Sequence, residues 1–297
     1  MDNNEILEFL KDYKELFQDR PERLDWDEIY NLASARFRID VFCKFTEFWL
    51  NRNIHPEKYL DELPRNFCIE STIKTFIIPD NITIIREKAF KNCSELTDIT
   101  IGNGVTSIGE QSFGGCKSLE SVTIPDSVIS IGNYAFYNCD SLTSLTIGNG
   151  VETIGDSAFE GCTGLTSIVI GNNVASIDYR AFFSCKNLTS ITIPDSVLKI
   201  GNHVFNGCTS LTNVIIGNNV QSIGGVAFRG CKSLTSVTIP DSVTNIGDYA
   251  FADCEDKLVI DYNGTKEDWK KIYTSKAFEN TDFTVNCTDG KIVKKKR

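Results

Sequence analysis

Residues 234–254 read LTSVTIPDSVTNIGDYAFADC, and close copies of this stretch recur along most of the chain. Cysteines recur every 23 residues, at Cys93, Cys116, Cys139, Cys162, Cys185, Cys208, Cys231 and Cys254. A phenylalanine stands three positions before each, at Phe90, Phe113, Phe136, Phe159, Phe182, Phe205, Phe228 and Phe251. Isoleucines keep the same step, at Ile85, Ile108, Ile131, Ile154, Ile177, Ile200, Ile223 and Ile246. Three ladders in one register indicate an array of stacked repeats.

Each repeat predicts one coil of a solenoid. The segment Leu234–Ile239 has the pattern L-x-x-V-x-I, which predicts a short strand whose alternate side chains point inward. The segment Pro240–Ser242 then turns the chain, and Ile246 points back inward. The segment Ala250–Cys254 closes the far wall, where we expect a short helical turn.

One repeat buries too little apolar surface to fold alone, so neighbouring coils must stack and pair their strands in a parallel sheet. Eight strands spaced ~4.8 Å apart predict a sheet on the order of 35 Å long. The predicted fold is therefore a repeat solenoid of leucine-rich-repeat type, built from short parallel strands with turns and short helices. An α-helical cap is predicted at its N-terminal end.

The repeat unit L-x-x-V-x-I-P-D-S-V-x-x-I-G-x-x-A-F-x-x-C resembles the BspA-like leucine-rich repeat. The resemblance covers roughly residues 71 to 290 and includes the stretches Tyr262–Lys266 and Cys287–Gly290, with Trp269 between them, which are similar to the family's usual C-terminal segment. It implies a solenoid that binds other proteins, in a family described mostly as secreted or surface proteins. The chain departs from that pattern because we find no signal peptide at its start.

Three regions are predicted along the chain. Residues 1–67 lack the repeat and show helical spacing of apolar residues from Ile6 to Phe17, with further helices expected over 25–35 and 37–51. This region either caps the open end of the solenoid or docks a partner through its aromatic third helix. Residues 68–256 form eight repeats, and residues 257–297 form a C-terminal cap and a basic tail.

Composition and charge argue against several classes of function. The 297-residue chain carries a net charge of −10, which disfavours binding to nucleic acid because phosphate contacts need clustered lysine and arginine. The only basic run, Lys294–Arg297, is interpreted as a solvated tail. No apolar stretch is long enough to span a membrane. The acidic start at Met1 predicts a cytoplasmic protein, with the cell surface or secretion as the alternative.

The chemistry-bearing residues do not indicate an enzyme, a metal site or a cofactor. The cysteine spacing lacks the close pairs of a metal site, so the ladder cysteines are expected to be buried thiols in one small apolar slot. Cys43, Cys68 and Cys287 lie off the ladder and are expected in the core as well, although they could pair or react. His55 and His203 have no recurring nucleophile or carboxylate partner.

The outward positions of the predicted strands form the first candidate binding surface, which we call the strand face. It is a ladder of small polar residues interrupted by two aliphatic residues, and it begins at Asp98 and Thr100. The predicted contact residues are Ser121, Thr123, Ser144, Thr146, Ser167, Val169, Ser190, Thr192, Asn213, Ile215, Ser236 and Thr238. Strand propensity alone also favours threonine here, so two interpretations remain: an ordinary exposed sheet, or a partner-binding face anchored by the two aliphatics.

The segment after the Ile-Gly bend forms a second and weaker candidate surface, the variable edge. Tyrosine, arginine or histidine stands there where other repeats have Gln, Ser or Val: Tyr134, Tyr179, Arg180, His203 and Tyr249. Tyrosine and arginine are frequent at interface hot spots, but repeat proteins also tolerate variation where nothing packs.

These features together predict a non-enzymatic protein–protein interaction module, with another protein as the partner. An intracellular binding protein, inhibitor or regulator is the first hypothesis. A surface adhesin, as the family resemblance implies, is the second.

Overall fold

The computed structural model describes residues 62–63, 65–255, 257–272, 274 and 276–295. The helices predicted between residues 6 and 51, and with them the N-terminal cap or docking domain, lie outside the described residues. The described chain winds into a parallel β-solenoid of about ten turns. The strands in chain order are β1 (Glu62–Leu63), β2 (Thr75–Ile78), β3 (Ile84–Ile85), β4 (Asp98–Ile101), β5 (Ser107–Ile108), β6 (Ser121–Ile124), β7 (Ser130–Ile131), β8 (Ser144–Ile147), β9 (Thr153–Ile154), β10 (Ser167–Val169), β11 (Ser176–Ile177), β12 (Ser190–Thr192), β13 (Lys199–Ile200), β14 (Asn213–Ile215), β15 (Ser222–Ile223), β16 (Ser236–Ile239), β17 (Asn245–Ile246), β18 (Leu258–Tyr262), β19 (Phe283–Cys287) and β20 (Gly290–Lys294).

The longer strands, β2 to β18 in even numbers together with β19, form the predicted wall of parallel strands, and β20 pairs antiparallel with β19 at its end. Residues 23 apart lie opposite one another, so Ser144 pairs with Ser121 on one side and with Ser167 on the other. Side chains alternate between buried and exposed, as in β8, where Leu145 and Ile147 are buried and their neighbours are not. The prediction of the strand and its register is confirmed.

The hydrogen-bonded ladder of this wall is interrupted once. The even-numbered strands from β2 to β10 form a five-stranded sheet. A six-stranded sheet follows in the order β12-β14-β16-β18-β19-β20, so the break lies between β10 and β12. Ile168 of β10 is only partly buried, whereas Ile191 at the same position of β12 is fully buried. The other wall of the solenoid is continuous across the same turns, since Ser176 pairs with Lys199.

A second parallel sheet runs along the solenoid, and the sequence analysis did not predict it. Nine two-residue strands, β1 to β17 in odd numbers, pair in register. Each ends on the isoleucine of the repeat or, in β1, on Leu63. The expectation of a single sheet was therefore incomplete. The isoleucine was placed inward from the pattern, but a two-residue strand carries too little periodicity to be seen in a sequence.

The wall that contains the phenylalanine and cysteine ladders consists of turns, so the predicted short helical turn was wrong. Tyr134 and Asn138 both have positive φ, 56° and 54°, and their equivalents in other repeats do too. Backbone amides bond forward to the next coil instead of back along a helix: Phe136 N donates to Ala158 O at 2.7 Å. Left-handed residues inside the segment end any α-helix. Among the described residues the only α-helix is α1 (Lys266–Lys271), near the C-terminus.

The phenylalanine ladder forms the centre of the core. Successive rings from Phe90 to Phe251 are parallel within 3–11° and lie 5.0–5.5 Å apart between centroids. All of these rings are fully buried. At the far end Phe278 continues the stack 5.3 Å from Phe251, so the C-terminal segment covers the last coil.

The cysteine ladder lies directly beside the rings, as predicted. From Cys116 to Cys254 the cysteines are free and buried, and each thiol donates to the carbonyl oxygen of the phenylalanine 26 residues earlier. The Cys116 Sγ to Phe90 O distance, for example, is 3.1 Å. Burial raises the pKa of Cys208 and of Cys254 to about 12. Cys68 is buried and Cys287 is half-buried, while Cys43 lies outside the described residues.

Candidate binding surfaces

The outward side chains of the strand face form one continuous surface on the five-stranded sheet and another on the six-stranded sheet. Most of the predicted contact residues are exposed, and Asn213, Ser236 and Thr238 are half-buried. The alternation of the strands places them all on the outer side. Between β2 and β18 the outward positions carry only two charged residues, Asp98 and Asp261, one near each end. The face is therefore polar without being charged.

Three exposed aliphatic side chains interrupt the polar ladder. Val169 and Ile215 were predicted, and they are 60% and 43% exposed. They lie on β10 and β14, on either side of β12 and close to the break between the sheets. Ile77, on β2 opposite Thr100, is 70% exposed and was missed. Its signal was the alternation itself, because Phe76 and Ile78 on each side point inward.

The threonines just before the strands have a structural role. Thr166 Oγ1 donates to the carbonyl oxygen of Thr143 at 3.0 Å, and Thr143 Oγ1 donates to Glu120 O at 3.1 Å. This bond links one coil to the next, and it recurs at Thr189, Thr212 and Thr235. Stacking of the coils thus accounts for the threonines at this position, which adjoins the strand face but is not part of it.

The variable edge divides into separate groups in the structure. Tyr134, Arg180, His203 and Tyr249 occupy one column of left-handed residues, with φ between 56° and 61°. Tyr179 belongs to the column one residue earlier. Tyr134 packs edge-on against Tyr137, at 5.8 Å between centroids. Tyr249 contacts Lys276, whose Nζ is 3.4 Å from its hydroxyl oxygen.

Three residues of the variable edge, Tyr179, Arg180 and His203, come together with Phe183, which lies outside that edge. We call this group the Arg180 cluster. The guanidinium carbon of Arg180 is 5.1 Å from the ring centroid of Tyr179 and 4.8 Å from that of Phe183. The rings of Tyr179 and His203 meet edge-on at 5.4 Å. Phe183 was missed by the sequence analysis, although its signal is plain: this repeat alone has a second phenylalanine after the one in the ladder.

Burial and two neighbouring arginines determine the protonation of His203 in the Arg180 cluster. Burial, followed by the charges of Arg180 and Arg229, lowers the pKa of His203, so its imidazole is neutral at physiological pH. Its Nδ1 lies 3.3 Å from the side-chain nitrogen of Asn206. The Arg180 Nε atom is buried and has no hydrogen-bond partner in the part of the chain that the structure describes.

Tyr179 interrupts a ladder of side-chain hydrogen bonds. In its column Asn133 accepts from Asp156 N at 2.9 Å, Asp156 accepts from Tyr179 N at 3.1 Å, and Asn202 accepts from Gly225 N at 2.8 Å. Tyrosine has no carboxylate or amide oxygen at this position, so it cannot provide the same bond to Asn202 N. The next coil loses one of its links.

Restoring the ladder gives a testable prediction. In a Tyr179→Asn variant we expect the new side-chain oxygen to accept from the Asn202 amide, which should slow its hydrogen exchange about fivefold for a bond of about 1 kcal/mol. Exchange measured by NMR on the full chain checks this. Tyr134→Gln, which also removes an exposed tyrosine but adds no acceptor in this column, is the control. Unchanged exchange at Asn202 in both variants would contradict the assignment.

The comparison with known protein families identifies the same repeat. The family description "BspA type Leucine rich repeat region" matches the chain in six copies, over residues 61–188, 129–258 and 176–287. The chain belongs to the BspA-type leucine-rich repeat family. The resemblance drawn from the repeat unit is thereby confirmed. Among curated proteins none matches the chain.

Solved structures similar to this BspA-type chain are also leucine-rich repeat proteins. One from Bacteroides ovatus is 31% identical, with a TM-score of 0.59 over 70% of this chain and 53% of that one. The chain thus spans about half the length of the Bacteroides protein. A Treponema (T. pallidum) leucine-rich repeat protein is 34% identical over 48% of this chain and 72% of that one, with a TM-score of 0.45. A protein described as a leucine rich cell surface protein, from Faecalibacterium prausnitzii, is 26% identical over 71% of this chain and 84% of that one, with a TM-score of 0.31.

The described part of this BspA-type chain contains neither a helix that could span a membrane nor a cluster of metal ligands. None of the helices in that part of the chain is both long and apolar enough to cross a membrane. Within the same residues no three histidine, cysteine, aspartate or glutamate side chains come together as a set of metal ligands.

Proposed function

We propose that the chain is a non-enzymatic interaction module that binds another protein on its strand face. The observation that carries this proposal is the exposure of Val169 on β10 and Ile215 on β14, on either side of β12, on a strand face that is otherwise mostly polar and nearly uncharged. Aliphatic side chains at the centre of a polar surface are the pattern expected where a partner excludes water. Membership of a repeat family that presents extended surfaces supports the same role.

The geometry of the strand face fits a protein better than a small molecule. Val169 and Ile215 are two strands apart, roughly 10 Å at the usual strand spacing. Burying one such aliphatic side chain is worth about 1.5–3 kcal/mol, so the pair can anchor a complex. Nine strands of about four residues give a face of roughly 500 Å², and a standard interface needs about 800 Å² per partner. The partner therefore also contacts the turns beside the strands.

The proposal places the module inside the cell. A core lined by free thiols from Cys116 to Cys254 suits a reducing compartment. The alternative is an exported adhesin of the BspA type, which would use the same face for a partner at the cell surface. Fractionation of native cells distinguishes the two, because recovery of the protein outside the membrane would contradict the intracellular assignment.

Charge introduced at the two aliphatics tests the strand face. In a Val169→Arg, Ile215→Arg double variant we expect the affinity for the partner to fall at least a hundredfold, because two buried contacts are replaced by charges that have no counterpart. Capture from native lysate, quantified by mass spectrometry against the unchanged chain, measures the loss. Circular dichroism verifies that the variant is folded.

The sheet of two-residue strands offers a matched control. Ile129 and Leu198 are each 50% exposed beside the odd-numbered strands, and an Ile129→Arg, Leu198→Arg variant adds the same charge there. We expect this variant to capture the partner normally. Equal losses for the two double variants would argue against the strand face as the binding surface.

A further inference from the structure

Arg180 is the exception among the arginines that the structure describes. Three of the four form ion pairs with carboxylates: Arg65 with Glu87 at 3.3 Å, Arg86 with Glu62, and Arg229 with Asp253 at 2.9 Å. Among the described residues Arg180 has no ion-pair partner, and its buried Nε atom has no hydrogen-bond partner there either. Because protein atoms cover the Nε atom, a ligand would meet the guanidinium through its two terminal nitrogens.

Aromatic rings hold the Arg180 side chain in place. Tyr179 and Phe183 lie within 5.1 Å of the guanidinium carbon, close enough for cation–π attraction to both rings. His203 in turn packs edge-on against Tyr179. The rings limit the conformations of the guanidinium without neutralising its charge. A charged group that is fixed in this way loses less entropy when it binds a ligand.

We propose that the Arg180 cluster receives a carboxylate side chain from an acidic segment of a partner protein. A guanidinium presents paired donors that match the two oxygens of a carboxylate. The aromatic rings beside it also provide apolar surface for the carbon chain of a glutamate. This inference rests on the proposed role in protein binding, but it assigns a second contact on a different wall of the solenoid.

Charges around the Arg180 cluster favour a short acidic peptide over a nucleic acid. Asp156 and Asp178 lie on the adjoining turns, and burial followed by the charge of Asp156 raises the pKa of Asp178. On the next coils Arg229 is already neutralised by Asp253. A long polyanion that runs along the coils would meet the carboxylates of Asp156 and Asp178 beside Arg180. A peptide needs to place only one carboxylate at the guanidinium.

Arginine side-chain NMR on the full chain tests the inference directly. The probe is the synthetic peptide acetyl-Glu-Glu-Tyr-Glu-Glu-amide, with a glutamine version, acetyl-Gln-Gln-Tyr-Gln-Gln-amide, for comparison. We expect the glutamate peptide to shift the Nε–Hε signal of Arg180 with saturation, and the glutamine peptide to leave it in place. Absence of a saturable shift, or an equal shift with both peptides, would overturn the proposal.

Two substitutions distinguish specific binding at the Arg180 cluster from non-specific attraction by positive charge. Arg180→Gln should weaken binding of the glutamate peptide at least tenfold, measured by anisotropy of a fluorescein-labelled copy. It should fold, since Gln111 occupies the same left-handed position in another repeat. Lys186→Gln removes the same charge from an exposed position of the same repeat and should change the affinity less than twofold. Equal weakening by the two variants would contradict a specific site.

Two further measurements decide between the remaining outcomes. An oligothymidylate that shifts the Arg180 signal more strongly than the glutamate peptide would overturn the assignment in favour of a phosphate ligand. The Val169→Arg, Ile215→Arg variant should bind the glutamate peptide as the unchanged chain does. Loss of peptide binding in that variant would show that the two surfaces are not independent, and would count against a separate carboxylate site. Retained peptide binding together with unchanged partner capture would instead contradict the strand face alone.

Discussion

Replacement of Phe159 by alanine is expected to lower the free energy of unfolding by about 3–5 kcal/mol. The ring is fully buried and stacked between Phe136, at 5.2 Å, and Phe182, at 5.3 Å. The neighbouring coils cannot close the cavity, because each backbone is held by its neighbours: Phe159 N, for instance, donates to Ala181 O at 2.8 Å. Chemical denaturation followed by circular dichroism measures the loss.

The solenoid gives this prediction a spatial signature. Stability in a repeat array is nearly a sum of terms between neighbouring coils, so amides of the two coils next to Phe159 should lose exchange protection before the ends do. Phe159→Leu, which leaves a smaller cavity, should cost clearly less than the alanine change. Thr146→Ala on the exposed strand face should stay within about 0.5 kcal/mol. An alanine variant as stable as the unchanged chain would refute the stacked core.

The core could be predicted from the sequence because the phenylalanine, cysteine and isoleucine ladders share one period of 23 residues. A 23-residue step that carries phenylalanine, cysteine and isoleucine in fixed order allows one arrangement in which all of them avoid water, namely coils placed one on another. Leu145 and Ile147 show that the strand register followed as well, since the alternation of β8 specifies which side chains face inward. These features depend only on apolar periodicity.

The turn wall could not be predicted by the same reasoning. The segment around Ala135 and Phe136 has apolar residues at a spacing that also suits a helix, so periodicity favoured one. The structure instead bonds its amides to the following coil, as with Tyr134 N and Asp156 O at 2.9 Å. This preference for bonds between coils becomes visible only once the stacking is known. Left-handed backbone at non-glycine residues such as Tyr134 leaves no sequence signal.

Of the two candidate surfaces, the strand face could be predicted from the sequence, whereas the Arg180 cluster could not. Val169 and Ile215 followed from alternation alone. The Arg180 cluster did not, although three of its members were named, because Tyr179 and His203 are neighbours across two coils and their contact depends on the conformation of the turns. Proximity between coils is a property of stacking and turn geometry together. A single repeat contains neither.

The cysteine ladder predicts a steep loss of stability in alkali. Burial raises the pKa of Cys208 and Cys254 from 9.0 to about 12, and it raises the pKa of Cys139, Cys185 and Cys231 as well. Above pH 9 the unfolded chain releases these protons while the folded chain keeps them. Stability is therefore fully present below pH 9 and falls as the pH rises towards 12, by about 1.4 kcal/mol per pH unit for each thiol.

The two thiols whose pKa reaches about 12, Cys208 and Cys254, should together cost about 3 kcal/mol by pH 10, a large part of the stability of a typical domain. Urea midpoints measured from pH 7 to 10 reveal the slope, and Cys208→Ala should reduce it by one proton. Val204→Ala, a cavity in the same repeat without a titrating group, should lower the midpoint and leave the slope unchanged. If the Cys208→Ala variant keeps the full slope, the Cys208 thiol does not contribute to the loss of stability in alkali, which would contradict this prediction.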